Sequence, residues 1–463
     1  MTLSLARNSV AEVAEKESGV LKRALGPLDL TLLGIGAVIG TGIFVLTGVA
    51  AAGQAGPAIM LSFVLAAVAC VFAALCYGEF SAAMPRAGSV YAFARANMGE
   101  PVAWILGWDL ILEYGLAVSA VAGGWSGYFQ SLLAGFGLHM PVVFRDAPGV
   151  APGSVADLPA AAIVLLLTWL LSRGVKESTR VNNFIVFVKL AVIVLFIAVG
   201  IKHIHPVNWH PFWAFGYHGM VAGAATVFFA LLGFDAITTA AEEVRRPQRD
   251  IPLALVATLS VCTLLYVAVA AVLTGMVPFK LLGVKSPVAF AMQYAGQNWV
   301  AGFISLGAIA GITTVILVML FGLARIVFSI SRDGLLPRRL AGVHPRHRTP
   351  FSSTWTVGLI TALVAGFVPL DTLAPLVNVA TLFAFSLVAA GVLVLRYTRP
   401  ELPRPFRCPG VPVVPLLTAG ICLYLIFNLP AIAWYAFGVW MLAGLIIYLV
   451  YILRRRTAFR ERG

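Results

Sequence analysis

Apolar runs of about 20 residues recur along the whole chain, separated by short charged or Pro- and Gly-rich breaks. A helix of that length spans the hydrocarbon core of a bilayer. Because backbone groups inside lipid need internal hydrogen bonds, each run is expected to be helical. The sequence therefore predicts an all-α membrane protein. Only 11% of its 463 residues are charged, which excludes an ordinary soluble domain.

Twelve of these runs are predicted to be transmembrane helices. Their expected ranges are 28–51, 57–83, 101–133, 158–172, 181–201, 219–241, 251–276, 299–330, 353–369, 373–395, 412–429 and 434–453. The expected organisation is a cytoplasmic tail at 1–27, five helices in 28–201, five in 219–396, two further helices in 412–453, and a second cytoplasmic tail at 454–463.

The net charge of +13 could indicate a nucleic-acid surface, so its distribution along the chain decides its meaning. With a cytoplasmic N-terminus, 27 of the 32 Lys and Arg residues fall on the cytoplasmic side and four fall in outer loops. This is the positive-inside bias of membrane proteins. We expect a multi-pass protein of the plasma (inner) membrane, surrounded by lipid and with both termini cytoplasmic, that binds no nucleic acid.

Metal, cofactor and enzyme chemistry have no signature in the sequence. The five cysteines lack paired spacing, and the seven histidines form no H-E-x-x-H motif. No nucleophile elbow is present either. The sequence predicts no metal, no cofactor and no enzymatic activity.

Glycines interrupt two of the expected helices. The first reads LTLLGIGAVIGTGIFVLTGVAA, with Gly40, Thr41 and Gly42 near its middle, and the sixth reads VFFALLGFDAITTAAEEV, with Gly233 and Asp235. Five helices separate their starts, so the second enters the membrane from the opposite side, as in an inverted repeat. Close helix packing is the alternative for the first cluster taken alone. The pair of interruptions favours a substrate site near the bilayer midplane.

An interrupted helix offers opposite partial charges at its two new ends. The amides of Thr41, Gly42 and Ile43 begin a half-helix and suit a carboxylate. Carbonyls at the preceding end suit an ammonium group. The expected carbonyls belong to Val38, Ile39, Phe229, Ala230 and Leu232. Two crossing breaks would therefore hold the backbone of an L-amino acid.

Acidic side chains within the expected helices are candidates for function, with structural ion pairs as the alternative. Asp109 and Glu113 share a helix face at i and i+4. Glu113 is expected to contact the substrate amine directly or through water. Asp109 and Asp235 are expected to be hydrogen-bonded inside the bundle, and Glu79 to be a structural or gating charge near the cytoplasmic end.

Lys189 lies in the apolar run NFIVFVKLAVIVLF. A lone amine there has to be paired, deprotonated or placed against backbone carbonyls. It could act as a fixed cation in place of a coupling ion, or take up and release a proton. Snorkelling to the interface is the alternative, although the residue lies about nine positions into the helix.

Several segments carry a family resemblance: GIGAVIGTGIFVLTG, PRAGSVYAFA, GWDLILEYGLAVSAVAGGWSGYF, FFALLGFDAITTAAEEVRRPQRDIP and ISRDGLLP. They resemble the amino acid-polyamine-organocation (APC) superfamily, and within it the cationic amino acid transporter family. The resemblance implies a five-plus-five inverted repeat with two extra helices. It also implies that Glu113 lies near the substrate amine and that the substrate backbone is surrounded by Val38, Ile39, Thr41, Gly42, Ile43 and Phe229. By the same resemblance, Lys189 takes the place of sodium in sodium-coupled relatives, and protons drive transport.

The side-chain preference of the expected secondary transporter depends on the eighth helix. Its segment TTVILVMLFG places Met319 near the site, where a bulky thioether shortens the pocket. We expect a small neutral substrate such as alanine, with a cationic amino acid (arginine or lysine) as the rival. Exchange of amino acids, a receptor or channel, and a small accessory membrane subunit stay open at this point.

Overall fold

The computed structural model describes residues 25–460, except 84–89, 92–93, 96–97, 175–178, 240–243, 346, 348, 399, 402–403 and 405. Within these residues the chain is helical and has one isolated β-bridge, between Leu25 and Val244. Seven helical stretches are long and apolar enough to cross a bilayer, and five shorter apolar helices have 10–17 residues. The chain is therefore an all-helical integral membrane protein.

Most helices follow the expected ranges within a few residues, but the first and the sixth end early, and the last continues to Arg460 into the range expected to be a tail. The helices that matter for the site are α1 (Pro27–Val38), α2 (Ile59–Ala83), α3 (Glu100–Gly135), α4 (Leu158–Ser172), α5 (Thr179–Gly200), α6 (Gly216–Val227), α7 (Pro247–Met276), α8 (Asn298–Arg332), α9 (Phe351–Phe367), α10 (Leu370–Thr398), α11 (Val413–Phe427) and α12 (Ala431–Arg460).

The first expected helix is interrupted one residue earlier than the glycine cluster suggested. α1 ends at Val38, and Ile39 is extended, with φ −74° and ψ 102°. Helical structure resumes with a π-helical turn, Gly42–Leu46, and continues through 42–55. Gly56 then turns the chain with φ +60°, a conformation that favours glycine, before α2 begins.

The sixth expected helix is interrupted as well. α6 tightens into a 3₁₀ turn at Phe228–Leu231, and Leu232 is extended, with ψ 155°. Gly233 follows with φ +96°, which a residue with a side chain rarely adopts. A short helix, Ala236–Thr239, comes next. Both interruptions thus contain non-helical backbone in the middle of an apolar segment.

The long helix α3 lies at the centre of the bundle and packs against α8 and α10, while α2 packs against α7. Two short helices in the connections were not expected from the sequence: Val142–Arg145 before α4 and Pro287–Tyr294 before α8. Each has eight residues or fewer, too few for a distinct periodic pattern. We call the end of the bundle that carries these two connections the α7–α8 end.

Candidate functional site

The two interruptions contact each other directly. A Cβ atom on Gly42 would lie 2.2 Å from the Cα of Ala230, and one on Gly233 would lie 2.9 Å from the carbonyl oxygen of Ala37. Only glycine allows the backbones to approach so closely. The carbonyls and amides released by both breaks are therefore gathered at one place inside the bundle.

The residues expected to hold a carboxylate lie at the start of half-helix 42–55. Thr41 is 1% exposed and Ile43 is fully buried. The first N–H groups of a helix have no intrahelical partner, and they carry the positive end of its dipole. The hydroxyl of Thr41 donates to the carbonyl of Val121 in α3 at 3.3 Å, which ties this turn to a central helix.

The expected ammonium-binding carbonyls have a neighbour that the sequence did not reveal. The hydroxyl of Tyr266 in α7 lies 3.0 Å from the carbonyl oxygen of Val38 and 2.9 Å from that of Ala230. One hydroxyl has one proton, so it cannot donate fully to both oxygens at once. The carbonyl of Phe229 accepts from the amide of Leu232 at 3.3 Å. Nothing distinguished Tyr266 from an ordinary packing tyrosine in its apolar run.

A small pocket lies beside the crossing. It brings together four of the expected site residues: Glu113, Leu232, Asp235 and Met319. Ala37, Tyr114, Ala117, Gly233, Val315 and Val318 complete its lining, whereas Thr41, Gly42 and Ile43 are not part of it. The hydroxyl of Tyr114 donates to the carboxylate of Asp235 at 3.2 Å. The wall is thus oxygen-rich where Glu113, Tyr114 and Asp235 line the pocket, and apolar where Val315, Val318 and Met319 do.

The two remaining acidic candidates have different surroundings. Asp109 is fully buried, and within the described part of the chain neither of its carboxylate oxygens has a hydrogen-bond partner. Glu79 accepts hydrogen bonds from Arg396 at 3.1 and 2.7 Å and forms an ion pair with Arg404 at 3.4 Å. The amide of Cys408 also donates to Glu79, at 2.8 Å. Glu79 therefore anchors the connection between α10 and α11.

The amine of Lys189 points into the bundle, not toward the membrane interface. Its side chain is fully buried, and Nζ donates to the carbonyl of Gly36 in α1 at 2.6 Å. Its stem packs on α8 so closely that a Cβ atom on Gly311 would lie 2.8 Å from the lysine Cε. Lys189 thus connects α5 and α8 to α1, the first half-helix. The carbonyl that it binds, that of Gly36, lies three residues before the extended Ile39.

A second ionic cluster lies at the α7–α8 end. Lys285 forms ion pairs with Asp146 and, at 3.2 Å, with Asp157. Asp157 also accepts from the hydroxyl of Ser126 in α3 at 2.5 Å. Burial would raise the pKa of Asp146, but Lys285 and Arg145 outweigh it and lower that pKa. Burial raises the pKa of Asp157 despite the same lysine.

We expect Lys285→Ala to lower the apparent melting temperature at pH 7 by on the order of 2 °C. The lowered pKa of Asp146 contributes stability above its unfolded value, and this is lost as pH falls through the folded pKa. Asp157, whose pKa is raised, takes up a proton first. The difference between the two proteins should therefore shrink as pH falls below about 4 and disappear only below the lowered pKa of Asp146. Lys280→Ala, on the same connection and exposed, is the control. A pH-independent difference would contradict this assignment.

Comparison with known proteins agrees with the geometry. A family model described as amino acid permease matches residues 25–452. The chain is 54% identical to the methylthioribose transporter of Bacillus subtilis over 95% of each chain, and 53% identical to that bacterium's branched-chain amino acid permease over 96% of this chain and 97% of the relative. It is 39% identical to human cationic amino acid transporter 4 over 83% of this chain and 61% of the relative. The chain therefore belongs to the amino acid permease family of the APC superfamily, a family of membrane transporters and not of enzymes.

Proposed function

We propose that this permease moves L-amino acids across the membrane by alternating access, coupled to protons. The observation that carries the proposal is the crossing of two interrupted helices, with Gly42 against Ala230 and Gly233 against Ala37. A zwitterion needs an anion site and a cation site a few ångströms apart, and the half-helix ends supply both without a charged side chain. Lys189, buried against the first half-helix, is the proposed coupling residue.

The proposed architecture has twelve membrane-spanning helices arranged as a five-plus-five inverted repeat followed by two more. It assigns the first repeat to 28–201, the second to 219–396 and the additional pair to 412–453. Both tails, 1–27 and 454–463, are placed in the cytoplasm of a cell whose plasma membrane holds the protein. The α7–α8 end is then extracellular, and the excess of Lys and Arg at the opposite end supports this orientation.

For the side chain we propose an uncharged, apolar group, with L-alanine favoured. Val315, Val318 and Met319 form an apolar wall of the pocket. The similarity to a branched-chain amino acid permease supports an apolar substrate. Glu113 and Asp235 on the other wall favour the rival class, a cationic amino acid, which the name of the human relative also suggests. Competition between alanine, leucine and arginine for uptake ranks these classes.

A second candidate substrate is methylthioribose, because a relative with 54% identity is named for its transport. The oxygen-rich wall of Glu113, Tyr114 and Asp235 could bind sugar hydroxyls, and Met319 lies on the apolar side that a methylthio group would contact. This ligand lacks an α-carboxylate, so it would leave the amides of the half-helix unused. If methylthioribose inhibits uptake more strongly than any amino acid does, methylthioribose is favoured as the substrate.

We expect Met319→Ser to widen the substrate range toward arginine. Shortening this side chain removes part of the apolar wall and adds a hydroxyl to the pocket that Glu113 lines. The ratio of arginine to alanine transport should rise roughly tenfold, the scale of one or two methylenes in an apolar pocket. Met60→Ser, in α2 and outside the pocket, is the control. An unchanged ratio would remove the steric role of Met319.

Uptake of radiolabelled amino acids into proteoliposomes tests the proposal as a whole. We expect saturable uptake of L-alanine that rises when the outside is made more acidic than the lumen and falls with a protonophore. Uptake that saturates but does not depend on the pH gradient would indicate a uniporter or exchanger and would contradict proton coupling. Uptake that does not saturate would contradict the transporter itself in favour of a channel.

A further inference from the structure

The first turn of half-helix 42–55 is held by side chains as well as by its own backbone. It is a π-turn, Gly42–Leu46, closed by the amide of Thr47, which donates to the carbonyl of Gly42 five residues back. The hydroxyl of Thr47 donates to the carbonyl of Ile43 at 3.0 Å. The hydroxyl of Tyr128 in α3 donates to the carbonyl of Phe44 at 2.6 Å. This turn therefore takes part of its geometry from another helix.

One face of α3 is shaped to receive the turn. Val121, Gly124 and Tyr128 are spaced by three and four residues and so lie on the same side of the helix. The carbonyl of Val121 accepts from Thr41 at 3.3 Å. A Cβ atom on Gly124 would lie 2.4 Å from the Thr41 side chain, so glycine makes the approach possible.

Tyr128 forms the far end of this contact. Its side chain is fully buried, and its ring meets the ring of Phe44 edge-on, with centroids 5.8 Å apart. The hydroxyl thus reaches Phe44 from a fixed direction. Thr41 and Phe44, one at each end of the amides of Gly42 and Ile43, are both bound to α3.

We propose that Tyr128 is a positioning residue for substrate recognition: through the carbonyl of Phe44 it sets where the amides of Thr41, Gly42 and Ile43 point. Tyr128 touches none of these amides and acts through the peptide groups of the turn. The inference rests on the proposed function, in which those amides bind the α-carboxylate. Since every amino acid has that carboxylate, the effect of Tyr128 is independent of the substrate's side chain.

A purely structural role for the hydroxyl makes a different prediction, and α3 offers a matched comparison. Ser119 is also fully buried, and its hydroxyl donates to the carbonyl of Thr361 in α9 at 3.0 Å. Its contact lies away from the interruptions. Ser119→Ala therefore removes a buried hydroxyl and hydrogen bond from the same helix without altering the turn at Gly42–Leu46.

The test compares Tyr128→Phe, Ser119→Ala and the unsubstituted protein in proteoliposomes, with L-alanine and L-leucine as substrates. We expect Tyr128→Phe to raise KM for both by the same factor, about fivefold, with kcat unchanged within about twofold. Ser119→Ala should change the melting temperature by a similar amount but leave KM unaltered. If Tyr128→Phe does not fold, Thr41→Val, which removes the hydrogen bond to Val121, is expected to give the same uniform rise.

An unchanged KM in the folded variant, or a rise confined to one of the two amino acids, would overturn the positioning role and leave the proposed function intact. Absence of saturable uptake of either amino acid by the unsubstituted protein would overturn both proposals together. The two failures are therefore distinguishable by the unsubstituted protein alone.

Discussion

We expect Gly42→Ala to impair substrate binding and transport severely, although it adds a single methyl group. The new Cβ would lie 2.2 Å from the Cα of Ala230 and 2.4 Å from its Cβ. A clash with backbone cannot be relieved by rotating a side chain, so the two interruptions have to move apart. Displacement by an ångström is expected to lower transport at fixed substrate concentration on the order of 100-fold.

The same chain segment supplies the control for this substitution. Gly53 lies in half-helix 42–55, and a Cβ atom there would meet nothing within 4 Å. Gly53→Ala should therefore transport normally, and both variants should be compared at equal amounts of folded protein. Normal transport by Gly42→Ala would mean that the crossing of the interrupted helices does not form the substrate site.

We also expect Lys189→Met to abolish the accumulation of substrate against its own concentration gradient. Methionine fills the space of the lysine stem beside Gly311 but donates no hydrogen bond to the carbonyl of Gly36. If Lys189 carries the coupling proton, a pH difference of one unit supports about tenfold accumulation in the unsubstituted protein and none in the variant. Equilibration of substrate down its own gradient is expected to continue.

Proteoliposomes with an imposed pH gradient measure this difference, and Lys202→Ala, exposed on the connection after α5, is the control. A melting curve of Lys189→Met separates coupling from folding, because the unpartnered Gly36 carbonyl alone should cost about 1–3 kcal/mol. Accumulation by Lys189→Met that still follows the pH gradient would exclude Lys189 as the coupling residue.

Hydropathy was sufficient to predict the helices, because lipid leaves a chain few alternatives to helical structure. The ranges 158–172 and 101–133 agree with α4 (Leu158–Ser172) and α3 (Glu100–Gly135) within a few residues. The interruptions were also predictable, because two interrupted apolar runs that enter the membrane from opposite sides favour a substrate site over close helix packing. The positions of the interruptions were harder to predict, because no local pattern marks the extended residues, Ile39 and Leu232.

The details of the site depended on contacts that are distant in sequence. Tyr266 lies 228 residues from Val38, and Tyr128 lies 84 residues from Phe44. Each is a single tyrosine in an apolar run, where packing is the usual role. The sequence placed Glu113 and Met319 near the substrate, and the pocket contains both. Asp235, which was predicted to be a structural or gating charge, lines the pocket as well. The prediction that Asp109 is hydrogen-bonded inside the bundle was wrong: this carboxylate, on the same face as Glu113, is buried without a hydrogen-bond partner among the described residues.

The central claim is that the two interrupted helices recognise the α-ammonium and α-carboxylate groups of an amino acid. Its most direct test is the thermal shift of the purified protein, since a ligand stabilises in proportion to its affinity and concentration. The 20 common amino acids are screened first. The best ligand is then compared with its α-amide, which lacks the carboxylate charge, and with its deaminated acid. The account predicts that the amino acid stabilises the protein and that neither analogue does so at the same concentration. Equal stabilisation by either analogue would contradict it.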